Sequence, residues 1–157
     1  MNVPMWLEPV LRWGLWLLRP KYLVGVFPIC IDDTGRVLLI QKRLGAATGI
    51  QLPGGGKAYG VPMADAAVDE LYGETGLAAY PDALEQLTAR CVEKHRDVNI
   101  PFLVTRWHGD VGPRDTREIA FAAWVPYLDA MALLYPHHRP MLEEAWHRWN
   151  ALRFRFP

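Results

Sequence analysis

A glycine triplet followed at a fixed distance by two carboxylates constrains this chain more than any other segment does. Gly54, Gly55 and Gly56 form a predicted loop, and Glu70 and Glu74 follow on a segment with helical periodicity. On a helix at about 100° per residue, these two side chains lie within about 40° of each other and can face one cleft. Carboxylate oxygens on a rigid element are the ligands that Mg²⁺ or Mn²⁺ prefers, and such an ion completes its shell with substrate phosphate oxygens. The segment therefore predicts a site for a divalent ion and a phosphorylated ligand.

The same segment resembles the Nudix box, a pattern of Gly, five residues, Glu, seven residues and then Arg-Glu-aliphatic-x-Glu-Glu-x-Gly-aliphatic. Gly55 would begin the box and Leu77 would end it, with every spacing kept. The resemblance covers roughly residues 22–130 and includes Val37-Leu38-Leu39-Ile40, the Leu52-Pro53 lead-in and Trp124-Val125-Pro126. It implies an α/β fold of the Nudix type, an α/β/α sandwich with a mixed central sheet, to which this chain adds an N-terminal helix.

The resemblance also implies roles for individual residues. In Nudix enzymes the residue matching Glu70 acts as the base or as a metal ligand, the residue matching Glu74 coordinates metal, and a carbonyl matching that of Gly54 adds a ligand. A further family carboxylate lies several residues before the Trp of the late strand, and Glu118 stands six residues before Trp124. We therefore expect Gly54, Glu70, Glu74 and Glu118 to hold Mg²⁺ or Mn²⁺, with Glu70 and Glu118 as candidate bases.

Three positions of the box depart from the family pattern. The isolated Glu is Val61, the Arg is Asp69, and the first Glu of the pair is Gly73. In the family the Arg orients the following carboxylate, whereas Asp69 would repel Glu70. Val61 and Gly73 remove acids that contribute to metal binding in family members. We therefore expect a depleted metal site and weakened activity.

Basic residues flank the predicted metal site. Lys42 and Arg43 end a predicted strand near the glycine loop, and Lys57 directly follows the glycines. Each of them could bind substrate phosphate near the backbone N–H groups of the loop, and each could equally be an ordinary solvated side chain. Glu93 and His95, at the end of a neighbouring strand, are further candidates for the same cleft.

Composition favours one domain that binds a small ligand. The chain has 157 residues, a common size for a single domain, and 17 basic and 17 acidic residues give a formal net charge of zero. No global field therefore favours a nucleic-acid polymer or an anionic membrane. Cys30 and Cys91 lie in apolar surroundings without a metal-binding spacing, which predicts buried thiols in a reducing, cytoplasmic compartment.

Residues 1–19 form a predicted apolar helix outside the Nudix-like domain, which we place at 20–157. Glu8 and Arg12 interrupt the apolar run, which is shorter than the roughly twenty residues that span a bilayer. The segment also lacks the basic start and the cleavage site of a signal peptide. Packing against its own domain, a homodimer contact and a weak membrane contact all remain possible roles.

Apolar periodicity predicts the main elements. Residues 22–31 and 36–42 alternate as two strands of a hairpin around a turn at 32–35. Spacings of three and four predict a helix that begins at Pro62 and stops at Gly76. Two strands at 84–93 and 99–107, a strand at 119–125 and a terminal helix at 141–152 complete the pattern.

Three functional hypotheses arise from these features. The first is a Mg²⁺-dependent hydrolase of a nucleoside diphosphate linked to another moiety, in which water attacks the pyrophosphate. The second is a binding module that keeps the scaffold as a nucleotide or metabolite sensor after losing part of its metal site. The third is an anchor that uses the N-terminal helix to hold a partner or a membrane.

Overall fold

The fold is a three-layered α/β sandwich, seen in a computed structural model that describes residues 21–43 and 49–153 together with Pro9. The predicted helix at 1–19 and most of the loop at 45–49 lie outside these residues. The strands are β1 (Leu23–Cys30), β2 (Arg36–Lys42), β3 (Ile50–Gln51), β4 (Gly55–Gly56), β5 (Leu84–Gln86), β6 (Arg90–Val92), β7 (Asp97–Val104) and β8 (Ile119–Pro126). The helices are α1 (Met63–Thr75), α2 (Tyr127–Leu133) and α3 (Arg139–Arg153), with short 3₁₀ helices at Pro81–Ala83 and Glu93–His95.

The strands form two sheets between the helices. The larger sheet has five strands in the order β4-β1-β7-β5, and β6 also pairs with β7. Strands β1 and β7 run parallel, whereas the other pairs in this sheet are antiparallel, so the sheet is mixed. The second sheet has the order β3-β2-β8 and is antiparallel. The expected α/β architecture with a mixed sheet is confirmed, and its central layer is divided between two sheets.

Helices cover both faces of the central strands. Successive residues of a strand point to opposite faces. In β1, Val26 packs on one face with Ala66 of α1, and Ile29 packs on the other face with Met141 and Ala145 of α3. Because both faces are buried, these strands need apolar residues at nearly every position.

Helix α1 lies over the junction between the two sheets. Leu71 of this helix packs with Leu38 of β2 and with Val104 of β7, which belong to different sheets. The helix ends at Gly76, which has a φ of 79° and donates its N–H to the Tyr72 carbonyl. Contacts with both sheets fix the position of the helix that carries the acidic residues.

The predicted hairpin of β1 and β2 is wrong, although its turn is correct. The Asp32 side chain accepts hydrogen bonds from the N–H groups of Thr34 and Arg36, both at 2.9 Å, and closes the turn. The two strands then join different sheets, and only an isolated bridge between Ile31 and Val37 links them. Strand β1 pairs with β4 and β7, and β2 pairs with β3 and β8, so the two strands that flank the turn belong to different sheets.

Three other parts of the chain differ from the prediction. The strand expected at 84–93 is divided into β5 and β6, and both pair antiparallel with β7. Strand β7 occupies Asp97–Val104 and not 99–107. Helix α2 was not predicted; it begins directly after Pro126, which has a backbone suited to a helix start. These differences leave the order of the main elements as expected.

The two cysteines differ in burial. Cys30 is buried as expected, but the prediction for Cys91 is wrong because its side chain is exposed. Cys91 belongs to the three-residue strand β6 at the margin of the larger sheet, where β7 is its pairing partner. Within the described part of the chain, every helix is too short or too polar to cross a bilayer.

The packing of α1 against both sheets can be tested at Leu71, which is 0% exposed. Leu71→Ala should lower the free energy of unfolding by about 2–5 kcal/mol, because it leaves a cavity between α1 and both sheets. Leu128→Ala is the control, since Leu128 is 79% exposed; its cost should stay below about 0.5 kcal/mol. Chemical denaturation measures both, and equal costs would show that α1 is not packed as described.

Candidate active site

The glycine loop lets α1 bring its carboxylates unusually close to the backbone. Glu74 Oε2 accepts a hydrogen bond of 2.7 Å from the Gly54 N–H, and the Glu74 residue is 5% exposed. A Cβ added at Gly55 would lie 2.6 Å from Glu70 Oε1, so a side chain there would displace the Glu70 carboxylate. Glycine at position 55 therefore lets the Glu70 carboxylate lie against the loop.

Lys42 closes the acidic cluster from the opposite side. Its Nζ lies 2.8 Å from Glu74 Oε1 and 3.2 Å from Glu118 Oε1. It also donates a hydrogen bond of 3.3 Å to the Gly54 carbonyl. Glu74 Oε1 is buried without a well-directed hydrogen bond, so the ammonium charge is what compensates it. One cation thus joins three groups that the sequence assigns to metal binding.

An irregularity between β2 and β8 lies directly beside Lys42 and Glu118. The register shifts between Gln41 and Lys42, where β8 has an additional residue, Ala120. Bulges of this kind redirect side chains and are common beside active sites. Just beyond it, the Arg43 N–H donates a 2.7 Å hydrogen bond to the Glu118 carbonyl, which holds the two chain segments side by side.

The electrostatics of the cluster follow from its burial. Burial raises the pKa of Glu74 to about 7, although the charge of Lys42 and the Gly54 N–H oppose this shift. Burial also raises the pKa of Glu70, with a smaller contribution from the charge of Glu118. For Lys42, burial disfavours the ammonium, but pairing with Glu74 and Glu118 outweighs it and raises the pKa. The cluster has three carboxyl groups and one ammonium, so the acidic groups outnumber the cation that pairs with them.

The structure places the predicted basic residues differently from one another. Lys42 lies inside the acidic cluster. The side chain of Arg43 is exposed at the end of β2. Lys57 directs its Nζ to the neighbouring Ala58 carbonyl at 2.9 Å. Of the three predicted basic residues, Lys42 is therefore the one that the fold directs to the carboxylates.

The two weaker candidates lie on the 3₁₀ helix at Glu93–His95. Glu93 is exposed. His95 lies next to His137, with 6.4 Å between their ring centroids. His95 thus contacts the segment between α2 and α3.

The three departures from the box have different structural consequences. Val61 packs with the apolar cluster around Val26, so its side chain contributes to the core. Gly73 faces open space, because a Cβ added there would meet no atom within 4 Å. Burial is the main cause of the raised pKa of Glu70, and the charge of Asp69 adds to it, which is the expected repulsion.

Sequence reasoning did not predict the central position of Lys42. A signal was present in the alternation along β2, since Lys42 is four positions after Leu38 and therefore points to the same face of the strand. Leu38 packs with Leu71 of α1, so that face of β2 is the one directed toward the acidic helix. The contact between Lys42 and Glu118 could not be found in this way, because it depends on the pairing of two strands that are distant in the sequence.

The types of oxygen donor in the cluster suit a divalent cation. The ammonium of Lys42 already supplies a positive charge between the Gly54 carbonyl and two carboxylates. Carbonyl and carboxylate oxygens are what Mg²⁺ selects. As arranged, however, no group of three or more acidic, His or Cys side chains within 21–43 and 49–153 is close enough to hold a metal ion. A metal would have to replace the ammonium.

The raised pKa of Glu74 predicts a pH effect on stability. Between its ordinary value of 4.5 and about 7, the native state keeps a proton that the unfolded chain has lost. The stabilisation is therefore fully present below about pH 4.5 and is lost as the pH rises through about 7. Relative to Glu74→Gln, the free energy of unfolding of the wild type should fall by about 1–3 kcal/mol between about pH 5 and pH 8, measured by denaturation in EDTA. Glu143→Gln, at an exposed position of α3, is the control and should follow the wild type; a Glu74→Gln curve parallel to the wild type would contradict the assignment.

Comparisons with known proteins bear on the fold. The NUDIX domain profile matches residues 21–145. The MutT NUDIX hydrolase from Burkholderia pseudomallei superposes with a TM-score of 0.67 at 22% identity, covering 80% of this chain and 98% of that one. The E. coli ORF135 protein gives 0.65 at 25% identity, covering 87% and 94%. The NUDIX domain of Shewanella oneidensis NrtR, solved with ADP-ribose, gives 0.68 at 18% identity, covering 85% and 92%. A comparison with curated proteins finds no match.

The matched segment contains the whole acidic cluster. It begins before β1 and ends within α3, so it includes Lys42, Gly54, Glu70, Glu74 and Glu118. It also covers most of the chain, from residue 21 to residue 145. The chain therefore belongs to the NUDIX domain family.

Proposed function

We propose that this chain hydrolyses the phosphoanhydride of a nucleoside diphosphate linked to another moiety, with the help of a divalent ion. The observation that carries the proposal is the convergence of the Gly54 carbonyl, Glu74 and Glu118 on one cation, with Glu70 beside them. The family and the ADP-ribose complex of the NrtR domain support a small nucleotide-type substrate.

The Gly54 carbonyl, Glu70, Glu74 and Glu118 would hold the ion, which is Mg²⁺ or Mn²⁺ in this proposal. When bound, such an ion polarises phosphate oxygens and lowers the pKa of a water molecule. Glu74 contributes from a buried position, whereas the Glu118 side chain is 55% exposed and can move toward a ligand.

Glu70 is the proposed general base. It is half-buried at the edge of the cluster, and its raised pKa makes it a better proton acceptor than a solvated carboxylate. It would take the proton of the attacking water while the new P–O bond forms and the bridging P–O bond breaks. Glu118 is the alternative base, and Lys42, Arg43 and Lys57 would neutralise phosphate charge.

A second candidate function is nucleotide binding without cleavage. It is favoured by Gly73, which offers no ligand, and by Lys42, which already neutralises part of the acidic cluster. Nucleotide binding that needs no metal and returns the ligand unaltered would identify such a module. Recovery of cleaved phosphate products would eliminate it.

The proposal also covers a role for the N-terminal residues and a cellular location. A homodimer contact or a weak membrane contact through residues 1–19 is tested by deleting them and measuring oligomeric mass and liposome sedimentation. The free thiols of Cys30 and Cys91 support a reducing, cytoplasmic location.

Glu70→Gln tests the hydrolase directly. With Mg²⁺ or Mn²⁺, kcat on a cleaved substrate should fall by at least about 100-fold, because the variant cannot accept the proton. The substrate is sought among nucleotide sugars, dinucleotides and nucleoside triphosphates by following phosphate products. Glu143→Gln, the exposed control on α3, should keep the wild-type rate. A panel without any turnover that depends on Glu70 would refute the proposed reaction.

Gly73→Glu tests whether the missing acid limits the site. The position has open space, so the new carboxylate can adopt an unstrained conformation. Both Gly73→Glu and the matched Gly73→Gln should stabilise α1 by about 0.5–1 kcal/mol, because they remove a helical glycine. Only Gly73→Glu should raise Mg²⁺ affinity and turnover, as measured by calorimetry and product release. Equal behaviour of the two variants would mean that the loss of this acid is not what weakens the site.

A further inference from the structure

We infer that Lys42 is an internal cation that holds the metal position in the nucleotide-free protein, so that the divalent ion enters together with substrate phosphate. The inference rests on the proposed function, since it takes the acidic cluster to be the metal site. It assigns Lys42 a part in deciding when the site accepts metal, in addition to any contact with phosphate.

The contacts of Lys42 saturate its ammonium. An ammonium has three N–H donors and no acceptor. Among the residues that the structure describes, three oxygens lie close to it: Glu74 Oε1 at 2.8 Å, Glu118 Oε1 at 3.2 Å and the Gly54 carbonyl at 3.3 Å. The side chains of Lys42 and Glu74 are only 17% and 7% exposed. This is a built-in arrangement and differs from the loose pairing of surface lysines.

A divalent ion cannot simply join this arrangement. The second oxygen of Glu74 is already bonded to the Gly54 N–H, so the oxygen facing Lys42 is the one left for a metal. A metal bound there would lie against the ammonium, and like charges repel strongly at short range where little water screens them. Gly73 offers no carboxylate that could hold the ion elsewhere on the helix. Metal binding therefore requires Lys42 to leave.

A phosphate group gives Lys42 somewhere to go. The flexible lysine side chain binds phosphate as a mobile point charge. When it turns to the phosphate, the Gly54 carbonyl and the two carboxylates lose their counter-ion and become free for the metal. Nucleotide should then raise metal affinity, and by linkage the metal should raise nucleotide affinity by the same factor.

Mn²⁺ binding to the nucleotide-free protein tests the inference. Calorimetry, together with electron paramagnetic resonance of free Mn²⁺, should show at least about 10-fold tighter binding to Lys42→Met than to the wild type. Adding Glu74→Gln to Lys42→Met should remove the gain. Lys94→Met is the charge-matched control, because it removes an exposed lysine of the Glu93–His95 helix, and it should bind as the wild type does. Equal affinities of the wild type and Lys42→Met would overturn the inference.

Thermal melting provides a second measurement. Without metal, Lys42→Met should melt below the wild type, and Mg²⁺ should raise its melting temperature while leaving that of the wild type nearly unchanged. If Lys42→Met does not fold without metal, Lys42→Gln replaces it, since its amide can still donate to a carboxylate. A wild type that Mg²⁺ stabilises as much as either variant would also overturn the inference.

The coupling to phosphate has its own readout. The methylene-bridged analogue of ADP, which cannot be cleaved at the bridge, should raise Mn²⁺ affinity more in the wild type than in Lys42→Met, after subtraction of metal bound by the analogue alone. If the analogue raised Mn²⁺ affinity equally in both proteins, the proposed coupling through Lys42 would be refuted. If the wild type cleaves no nucleotide but Lys42→Met binds Mn²⁺ more tightly, the proposed hydrolase is refuted and this inference stands. If the wild type cleaves nucleotide but both proteins bind Mn²⁺ equally, the hydrolase stands and this inference is refuted.

Discussion

Burying the Glu74 carboxylate requires a partner for each of its oxygens, and most of the site is arranged to supply them. An unpaired charge at this depth would cost several kcal/mol. One oxygen is bonded by the Gly54 N–H, which is possible because the glycine loop can lie against α1. The other faces Lys42 from β2. Helix, loop and strand are thus held around a single acidic side chain.

The same interaction connects the two candidate functions. A cluster built for a cation suits a metal-dependent hydrolase, and a cluster already neutralised by an ammonium suits a protein that binds phosphate without metal. The difference lies in whether Lys42 can move from Glu74 to a ligand. Movement of Lys42 matters more for metal binding in this chain because Gly73 stands where the Nudix box has a glutamate that could also hold the metal.

The sequence predicted those parts of the molecule that depend on local rules. The helix expected from Pro62 to Gly76 is Met63–Thr75, because its periodicity and its terminal glycine are properties of one segment. Glu70 and Glu74 both lie against the glycine loop because they are one helical turn apart. The hairpin prediction failed since local alternation does not reveal which distant strand will pair with β1. Lys42 and Glu118 meet through the register of β2 and β8, which no single segment encodes.

The irregularity in β8 accommodates an additional residue without changing the partners of β2. Gln41 pairs with Phe121 and Lys42 with Ile119, so Ala120 lies between two intact pairs. A relative that lacks this residue would pair the two strands without interruption and would keep Glu118 beside the end of β2. Length differences at this point of β8 are therefore compatible with an unchanged set of acidic residues around Lys42.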